Sequence, residues 1–391
     1  MRTPEGSEGS AIDYLVDGAK IAAADAGKIE DLSTLWGSSP VEVALAGGFA
    51  NASDMAQALA AVSGLALLEP LGEPFDGRLV RRDELSVYAK SRFMPWRQEN
   101  GVLTIAAVNP YAGGEAVQRW SAGRPFIIKI ITERTLTDAL NEALGAEIVE
   151  HATLDLSDRT PDLSARGGIT FFQGSWLATF AVLIIFAFWR ATAASFALAS
   201  IVSGVFFLAI MGFRLALMLA GLATPRSAVD LGVTQTPPRN LPVYSILVAL
   251  RDEVVLLPQI VRSLSAIRYP LTRLDILLLL EESDKKTIAA ARALALDGRF
   301  RIVTVPDRIP RTKPKACNFG LAFARGDFVS LYDAEDRPDP AQLLRSLAMF
   351  EAYPETQCVQ ARLSFYNVRE NWLTRGIMAQ PPQTQAQSQF F

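Results

Sequence analysis

The sequence predicts an α/β chain in three parts: a small N-terminal α/β domain, a hairpin of two apolar helices, and a larger domain of parallel strands alternating with helices. Three observations carry this reading. Two long runs without acidic residues, from Phe171 to Trp189 and from Ala193 to Leu222, stand out from the rest of the chain. After Pro242, short buried runs alternate with amphipathic stretches, the pattern of a mostly parallel sheet covered by helices on both faces. Between Trp36 and Glu147 a weaker alternation marks a module with its own core.

Composition narrows the function. The 391 residues are 50% hydrophobic and 20% charged, with a mean hydropathy of +0.20. That excludes a disordered chain and argues against a purely soluble one. With 38 basic against 41 acidic residues the net charge is −3, so no global positive field exists to attract nucleic acid. Two cysteines, Cys317 and Cys358, are too few for a disulfide scaffold or a thiolate zinc site. The single histidine, His151, excludes a multi-histidine metal centre and reads as a surface or linker residue. Acid and base chemistry therefore falls to carboxylates.

The expected elements follow in chain order. Residues 1–35 carry charge but no apolar h-region, and are expected to be a flexible N-terminus rather than a secretory signal. Within 36–150 the pattern predicts a helix over Ser53–Ser63, strands at Leu103–Val108 and Phe126–Ile131, and a helix over Thr135–Leu144. A linker is expected over 151–170 and the helical hairpin over 171–222. Each apolar run is long enough to cross hydrocarbon, and Arg214 lies near the end of the second, where it can snorkel. A tight turn at Arg190 would return the chain to its starting side. Arg159, Arg166, Arg226 and Arg239 flank the pair, so the positive-inside bias places both flanks in the cytoplasm. Trp176 and Trp189 suit either interfacial anchoring or packing between the helices. A second linker, 223–240, includes the proline-rich TQTPPRN.

The domain over 241–377 is expected to hold strands at Tyr244–Leu250, Asp275–Leu280, Arg301–Val305 and Phe328–Tyr332. Helices are expected at Leu257–Ala266, Lys286–Leu296 and Ala316–Ala324, with a glutamine-rich tail over 378–391. In such a sheet the ligand site lies at the carboxyl ends of the strands. Polar residues gather there: Arg251, Asp252 and Glu253 after the first strand, Glu281, Glu282 and Asp284 after the second, and Asp333, Glu335 and Asp336 after the fourth. Two carboxylates one residue apart, Asp333 and Glu335, can both reach one hard cation while leaving positions for phosphate oxygens.

The segments PVYSILVALRDE, LLLLEESDKKT, KPKACNFGLAFARGDFVSLYDAEDRPDP and CVQARLSFYN together resemble the family 2 glycosyltransferases, in particular the membrane-bound polysaccharide synthase branch. The resemblance implies a GT-A (Rossmann-like) fold, a nucleotide-sugar donor and a divalent cation, with inversion of the anomeric centre. It implies that Asp333 and Glu335 hold Mg²⁺ or Mn²⁺ on the diphosphate, glutamate standing where the family's D-x-D pair has a second aspartate. It places Glu253 near the nucleoside and Glu282 near the base, with Glu281 and Asp284 as further candidates because EESDKKT departs from the commoner D-D-G-S spacing. Lys315, in a K-x-x-x-N segment with Asn318, matches the lysine expected near the donor, a surface lysine being the alternative.

The family's catalytic base, in a T-E-D motif, and its Q-x-x-R-W polymer grip would both fall downstream of CVQARLSFYN. The resemblance runs through NVRENWLTRGI to about Ile377, and MAQPPQTQAQSQFF follows. The expectation is therefore a truncated exopolysaccharide enzyme of the bacterial inner membrane, binding a nucleotide sugar without polymerising it. A natural short form with another role is the alternative.

GGFANASDMAQALAAVSGLALLEP, the R-F-M-P-W strand and GVLTIAAVNP are similar to the MshEN or GspE N-terminal domain of secretion and pilus ATPases. Some such domains bind cyclic di-GMP. Gly48, Phe49, Ala50, Met55 and Leu59 keep the later part of that motif, but Ser39, Pro40 and Val41 replace its R-L-G opening and Val62 its glutamine. Loss of the arginine removes the guanidinium that would pair with the dinucleotide. A structural or partner-docking module is favoured over cyclic di-GMP sensing, and the competing view of the whole chain is a catalytically silent membrane protein built around that module.

Overall fold

The structure, a computed structural model, describes residues 7–69, 73–164, 168–223 and 241–361. The linker TQTPPRN, the segment after Ala361 and Arg166, Arg226 and Arg239 lie outside the described residues.

Four helices open the chain: α1 (Glu8–Asp17), α2 (Ala23–Trp36), α3 (Pro40–Ala46) and α4 (Ala52–Ser63). Their ends follow the side chains. Ser7, Ser39 and Asn51 accept backbone N–H groups at the starts of α1, α3 and α4. Gly37 and Gly64, at φ 62° and 68°, close α2 and α4 in the left-handed region. Ile12, Leu15, Ile29, Val41, Met55 and Leu59 form the core of this bundle. The flexible N-terminus expected over 1–35 is thus corrected from residue 8 onward: Ala11, Ile12, Leu15 and Ile29 supply a buried stripe that the charged residues between them obscure in the sequence.

Next come α5 (Leu85–Ser91), β1 (Phe93–Glu99), β2 (Val102–Ala107), α6 (Pro110–Ser121), β3 (Phe126–Ile130) and α7 (Glu133–Arg159). β1 and β2 form an antiparallel hairpin turning at Asn100 and Gly101, both at positive φ (47° and 78°), and β3 joins β2 in parallel. The helix expected to end at Leu144 is 27 residues long and takes in most of the first half of the expected linker 151–170. An i,i+4 pair between Asp155 and Arg159, 2.7 Å apart, supports its last turns. His151 lies on α7, half-exposed and beside Arg82, as an ordinary surface histidine.

The second α/β module holds β4 (Tyr244–Leu250), α10 (Leu257–Ser265), β5 (Leu274–Glu281), α11 (Lys285–Ala293), β6 (Phe300–Val305), α12 (Lys313–Leu321) and β7 (Phe328–Tyr332). Its sheet is parallel throughout, in the order β6-β5-β4-β7. All eight residues of β5 are buried, which is why that strand reads as a continuous apolar run. The chain steps outward from β4 to β6, then returns to the far side of β4. The carboxyl ends of β4 and β7 therefore flank the switch point where such sheets bind ligands.

The two α/β modules form one compact unit, through Arg159 and from the second module through Leu343. A continuous apolar cluster runs through both, with Leu136, Leu140, Leu144 and Ile148 of α7 alongside Val303, Val305, Phe319 and Phe323. Helix α7 thus helps cover one face of the parallel sheet, and each large side chain buried there contributes about 1.5–3 kcal/mol. The core expected to belong to the N-terminal domain alone is therefore shared in its second half. Polar contacts tie the same junction: Asn141 Nδ2 donates to the Thr304 carbonyl at 2.7 Å, and Gly298 N–H to the Leu45 carbonyl at 2.8 Å.

The other unit contains α8 (Phe171–Arg190) and α9 (Thr192–Ala223), separated by one non-helical residue, Ala191. Both helices are long and apolar enough to cross a membrane, and their apolar side chains are not buried in protein. The polar side chains Ser175, Thr179 and Thr192 donate back to carbonyls one turn earlier, which satisfies their hydroxyls within the helices. Phe188 and Phe196 meet edge to face at 5.0 Å across the joint.

Candidate functional site

Four loops at the carboxyl ends of the parallel strands bring the candidate residues into place. After β4, Asp252 adopts φ 57°, a left-handed conformation that a non-glycine residue holds only when its surroundings stabilise it. Its N–H donates to Asp284 Oδ2 at 2.7 Å, while Asp284 Oδ1 accepts the Thr287 N–H at 3.1 Å and caps α11. Burial opposes ionisation of Asp284, but the hydrogen bonds it accepts at Thr287 and from the Asp252 N–H outweigh it and hold the carboxyl below its ordinary range. Asp284 is thereby committed to joining the β4 and β5 loops.

Glu281 and Lys315 meet in a buried ion pair, with Nζ 3.0 Å from Oε1 and 3.1 Å from Oε2. Lys315 Nζ also donates to the Arg308 carbonyl at 2.9 Å. The pair fastens the end of β5 to the loop after β6. Sequence reasoning placed both residues at the donor; the structure places them together beneath the loop surface, and the surface-lysine alternative for Lys315 is excluded by its 3% exposure. Arg308 reaches in turn to Glu150 of α7 at 3.3 Å. In the same loop Arg311 grips Asp307, and that charge-assisted pair holds the Asp307 carboxyl low.

Glu253 is half-buried, and its carbonyl accepts the Leu257 N–H at 3.0 Å at the start of α10. Glu282 is exposed, and its N–H donates to the Val305 carbonyl at 2.8 Å. Glu253 follows β4 and Glu282 follows β5, at the carboxyl ends of these strands.

After β7 the chain turns sharply. Asp333 N–H donates to Asp336 Oδ2 at 2.7 Å, and Asp336 N–H to the Asp333 carbonyl at 3.1 Å. This local ring directs Asp336 back onto the turn. The carboxylates of Asp333 and Glu335 are exposed, and Asp333 Oδ1 is paired with Lys313 in the first turn of α12. Among the described residues no three carboxylate, histidine or cysteine side chains gather into a ready-made metal cage. Two exposed carboxylates are nevertheless of the donor type that could hold a hard cation.

Sequence reasoning missed Lys313 and Arg308. The K-P-K spacing was the available signal for Lys313, because a second lysine two residues before Lys315 cannot share its side of the helix. Cys317 sits in the same helix, and burial pushes its thiol up, away from reactivity.

Comparison with known proteins agrees with this layout. Residues 245–390 match the Glycosyl transferase family 2 model, and residues 63–150 match the MshEN domain. Beta-monoglucosyldiacylglycerol synthase of Trichormus variabilis is 26% identical over 173 residues, covering 42% of this chain and 37% of that protein. The enzyme of the same name from Synechocystis is 28% identical over 155 residues, covering 39% and 32% respectively. The chain thus spans about a third of the length of these relatives. Among solved structures, one described as MshE with cdg matches with a TM-score of 0.31 at 17% identity, covering 36% of this chain and 99% of that one. The chain carries a family 2 glycosyl transferase domain whose parallel sheet is consistent with GT-A, and an MshEN domain precedes the apolar helices.

Proposed function

We propose that this chain is a membrane-bound inverting glycosyltransferase that takes a nucleoside-diphosphate sugar, UDP-linked in this reading, for exopolysaccharide or other glycan synthesis. One observation carries the reading. Asp333 and Glu335 lie at the carboxyl end of β7, beside β4 at the switch point of the sheet, within the segment that matches family 2. Asp333 and Glu335 would hold Mg²⁺ or Mn²⁺, which when bound would supply positive charge to a diphosphate. Glu253 and Glu282 border the nucleoside side of the crevice. Glu281, Asp284 and Lys315 act by fixing the loops on which the donor rests.

The two apolar helices support attachment to the bacterial inner membrane, with both soluble parts on the cytoplasmic side. The names of the relatives favour a second reading of the acceptor, a diacylglycerol-type lipid in place of a growing polymer. We assign the MshEN module a docking role toward the chain's own transferase sheet, supported by the core that α7 shares with it. Cyclic di-GMP sensing has less support: Met55 and Leu59 are 1% exposed, and a Cβ on Gly48 would lie 3.6 Å from Asp297.

The test is Mn²⁺-dependent UDP and GDP binding by the full chain in detergent. Binding that disappears in Asp333→Ala supports the transferase reading, whereas complete absence from the unaltered protein supports the catalytically silent alternative. Radiolabelled UDP-sugars then separate the acceptors, because lipid product partitions into organic solvent and polymer does not. Saturable micromolar binding of cyclic di-GMP would restore the sensing role.

A further inference from the structure

The two lysines of the K-P-K segment have different environments. The Lys315 ammonium is enclosed at 3% exposure, paired with Glu281 and donating to the Arg308 carbonyl, away from the surface where a ligand would arrive. Lys313, at the start of the same helix, keeps 32% of its side chain exposed and places its ammonium on Asp333, whose side chain is 54% exposed. The β7 turn fixes the Asp333 backbone through Asp336 and leaves its carboxylate toward solvent. A monovalent cation belonging to the protein therefore already sits on a carboxylate assigned to the divalent one.

We infer that Lys313 is a resident counter-ion, which holds Asp333 until a divalent cation arrives and then passes its ammonium to a phosphate oxygen of the donor. This rests on the reading of Asp333 and Glu335 as the cation-binding pair. The physical case is one of charge. With Lys313 in place, the Asp333 carboxylate keeps a partner and the negative charge of the turn is reduced. A divalent cation on the same carboxylate repels the ammonium, and a diphosphate arriving with the cation offers oxygens that attract it. A lysine suits the transfer because its point charge sits on a flexible stem and needs no fixed geometry. Lys313 is thus a positioning residue for the metal and, after exchange, a contact for the donor. Lys315 keeps a wholly structural task.

The test uses the full chain in detergent and Mn²⁺ alone, with free Mn²⁺ followed by electron paramagnetic resonance. Lys313→Met should bind Mn²⁺ roughly two- to fivefold more tightly than the unaltered protein, the range that a half-exposed ion pair commands. With Mn²⁺ saturating, the same variant should bind UDP less tightly. Lys313→Arg, which keeps the charge, should bind Mn²⁺ alone like the unaltered protein. Unchanged or weaker Mn²⁺ binding in Lys313→Met overturns the inference, provided Asp333→Asn still lowers Mn²⁺ affinity. If Asp333→Asn leaves Mn²⁺ binding untouched, the cation-site reading falls, and this inference with it.

Discussion

Glu133, the first residue of α7, and Arg325, which follows α12, form an ion pair across the junction of the two α/β modules, their side chains only 20% and 10% exposed. Arg325 also donates to the Ala89 carbonyl at 3.0 Å, and its N–H donates to Asp275 Oδ2 at 3.0 Å. Asp275 is gripped through both oxygens by Arg301. This network lies at the amino ends of the strands, opposite the candidate site. Removing one partner leaves a poorly solvated charge. Arg325→Met should therefore destabilise the protein by about 3 kcal/mol, the low end for such a break because both groups keep slight contact with solvent. Glu133→Gln with Arg325→Met should cost less than the sum of the single changes. Denaturation midpoints in detergent measure both effects.

The same network sets an acid limit. Burial opposes ionisation of Glu133 and Asp275, yet the surrounding arginines outweigh it and hold both carboxyls below their ordinary range. The folded state then binds fewer protons than the unfolded chain. The resulting stability is fully present above the unfolded values of about 4 and is lost as pH falls through the depressed folded values. Unfolding midpoints should show no loss from these two groups between about pH 5 and 7, then decline below about pH 4. Glu133→Gln, with one titrating group fewer, should decline less steeply. An equally steep decline would remove Glu133 from the account.

The central strands of the second module were legible because parallel strands buried on both faces read as unbroken apolar runs, and the edge strand β7, less buried, kept enough of the pattern to be read as well. Tyr244–Leu250 and Phe328–Tyr332 have the bounds their sequence suggests. The position of Asp333 and Glu335 followed directly, since residues just past such strands must lie at their carboxyl ends. What the sequence hides is partnership over long distances. Leu136, Leu140, Leu144 and Ile148 show a helical stripe, but nothing in their spacing says that the sheet meeting it begins far downstream, beyond the apolar hairpin. Likewise, a lysine beside Asn318 signals charge, while its burial against Glu281 depends on the loop after β6 folding over it.

Gly298 tests how closely that junction is packed. A Cβ there would lie 2.9 Å from both the carbonyl carbon and the carbonyl oxygen of Leu45, backbone atoms that cannot swing aside. Gly298 N–H also donates to that carbonyl at 2.8 Å. Gly298→Ala must push the loop before β6 away from α3, at about 1–3 kcal/mol, the usual cost of overpacking. Gly27, with no atom near its Cβ position, is the control in a helix, and Gly27→Ala should be neutral to stabilising by up to about 1 kcal/mol. Equal midpoints for the two variants would show that the α3 contact is not tight.

Asp284 decides between a structural and a ligand-binding task for the acidic cluster after β5. Its two oxygens serve the Asp252 and Thr287 N–H groups, and the first of these supports a left-handed residue in the β4 loop. Asp284→Ala removes a helix cap and strands the Asp252 N–H, so stability should fall by about 1–3 kcal/mol. Asp284→Asn keeps one acceptor oxygen and should recover part of that loss by retaining the cap. Glu282→Ala, at an exposed neighbour, should leave the midpoint within about 0.5 kcal/mol and act on nucleotide affinity alone. The diagnostic result is the order of effects: stability falls first at Asp284, and UDP affinity falls without loss of stability at Glu282. If Asp284→Ala left the midpoint unchanged while abolishing UDP binding, Asp284 would be a ligand contact rather than the tie between the β4 and β5 loops.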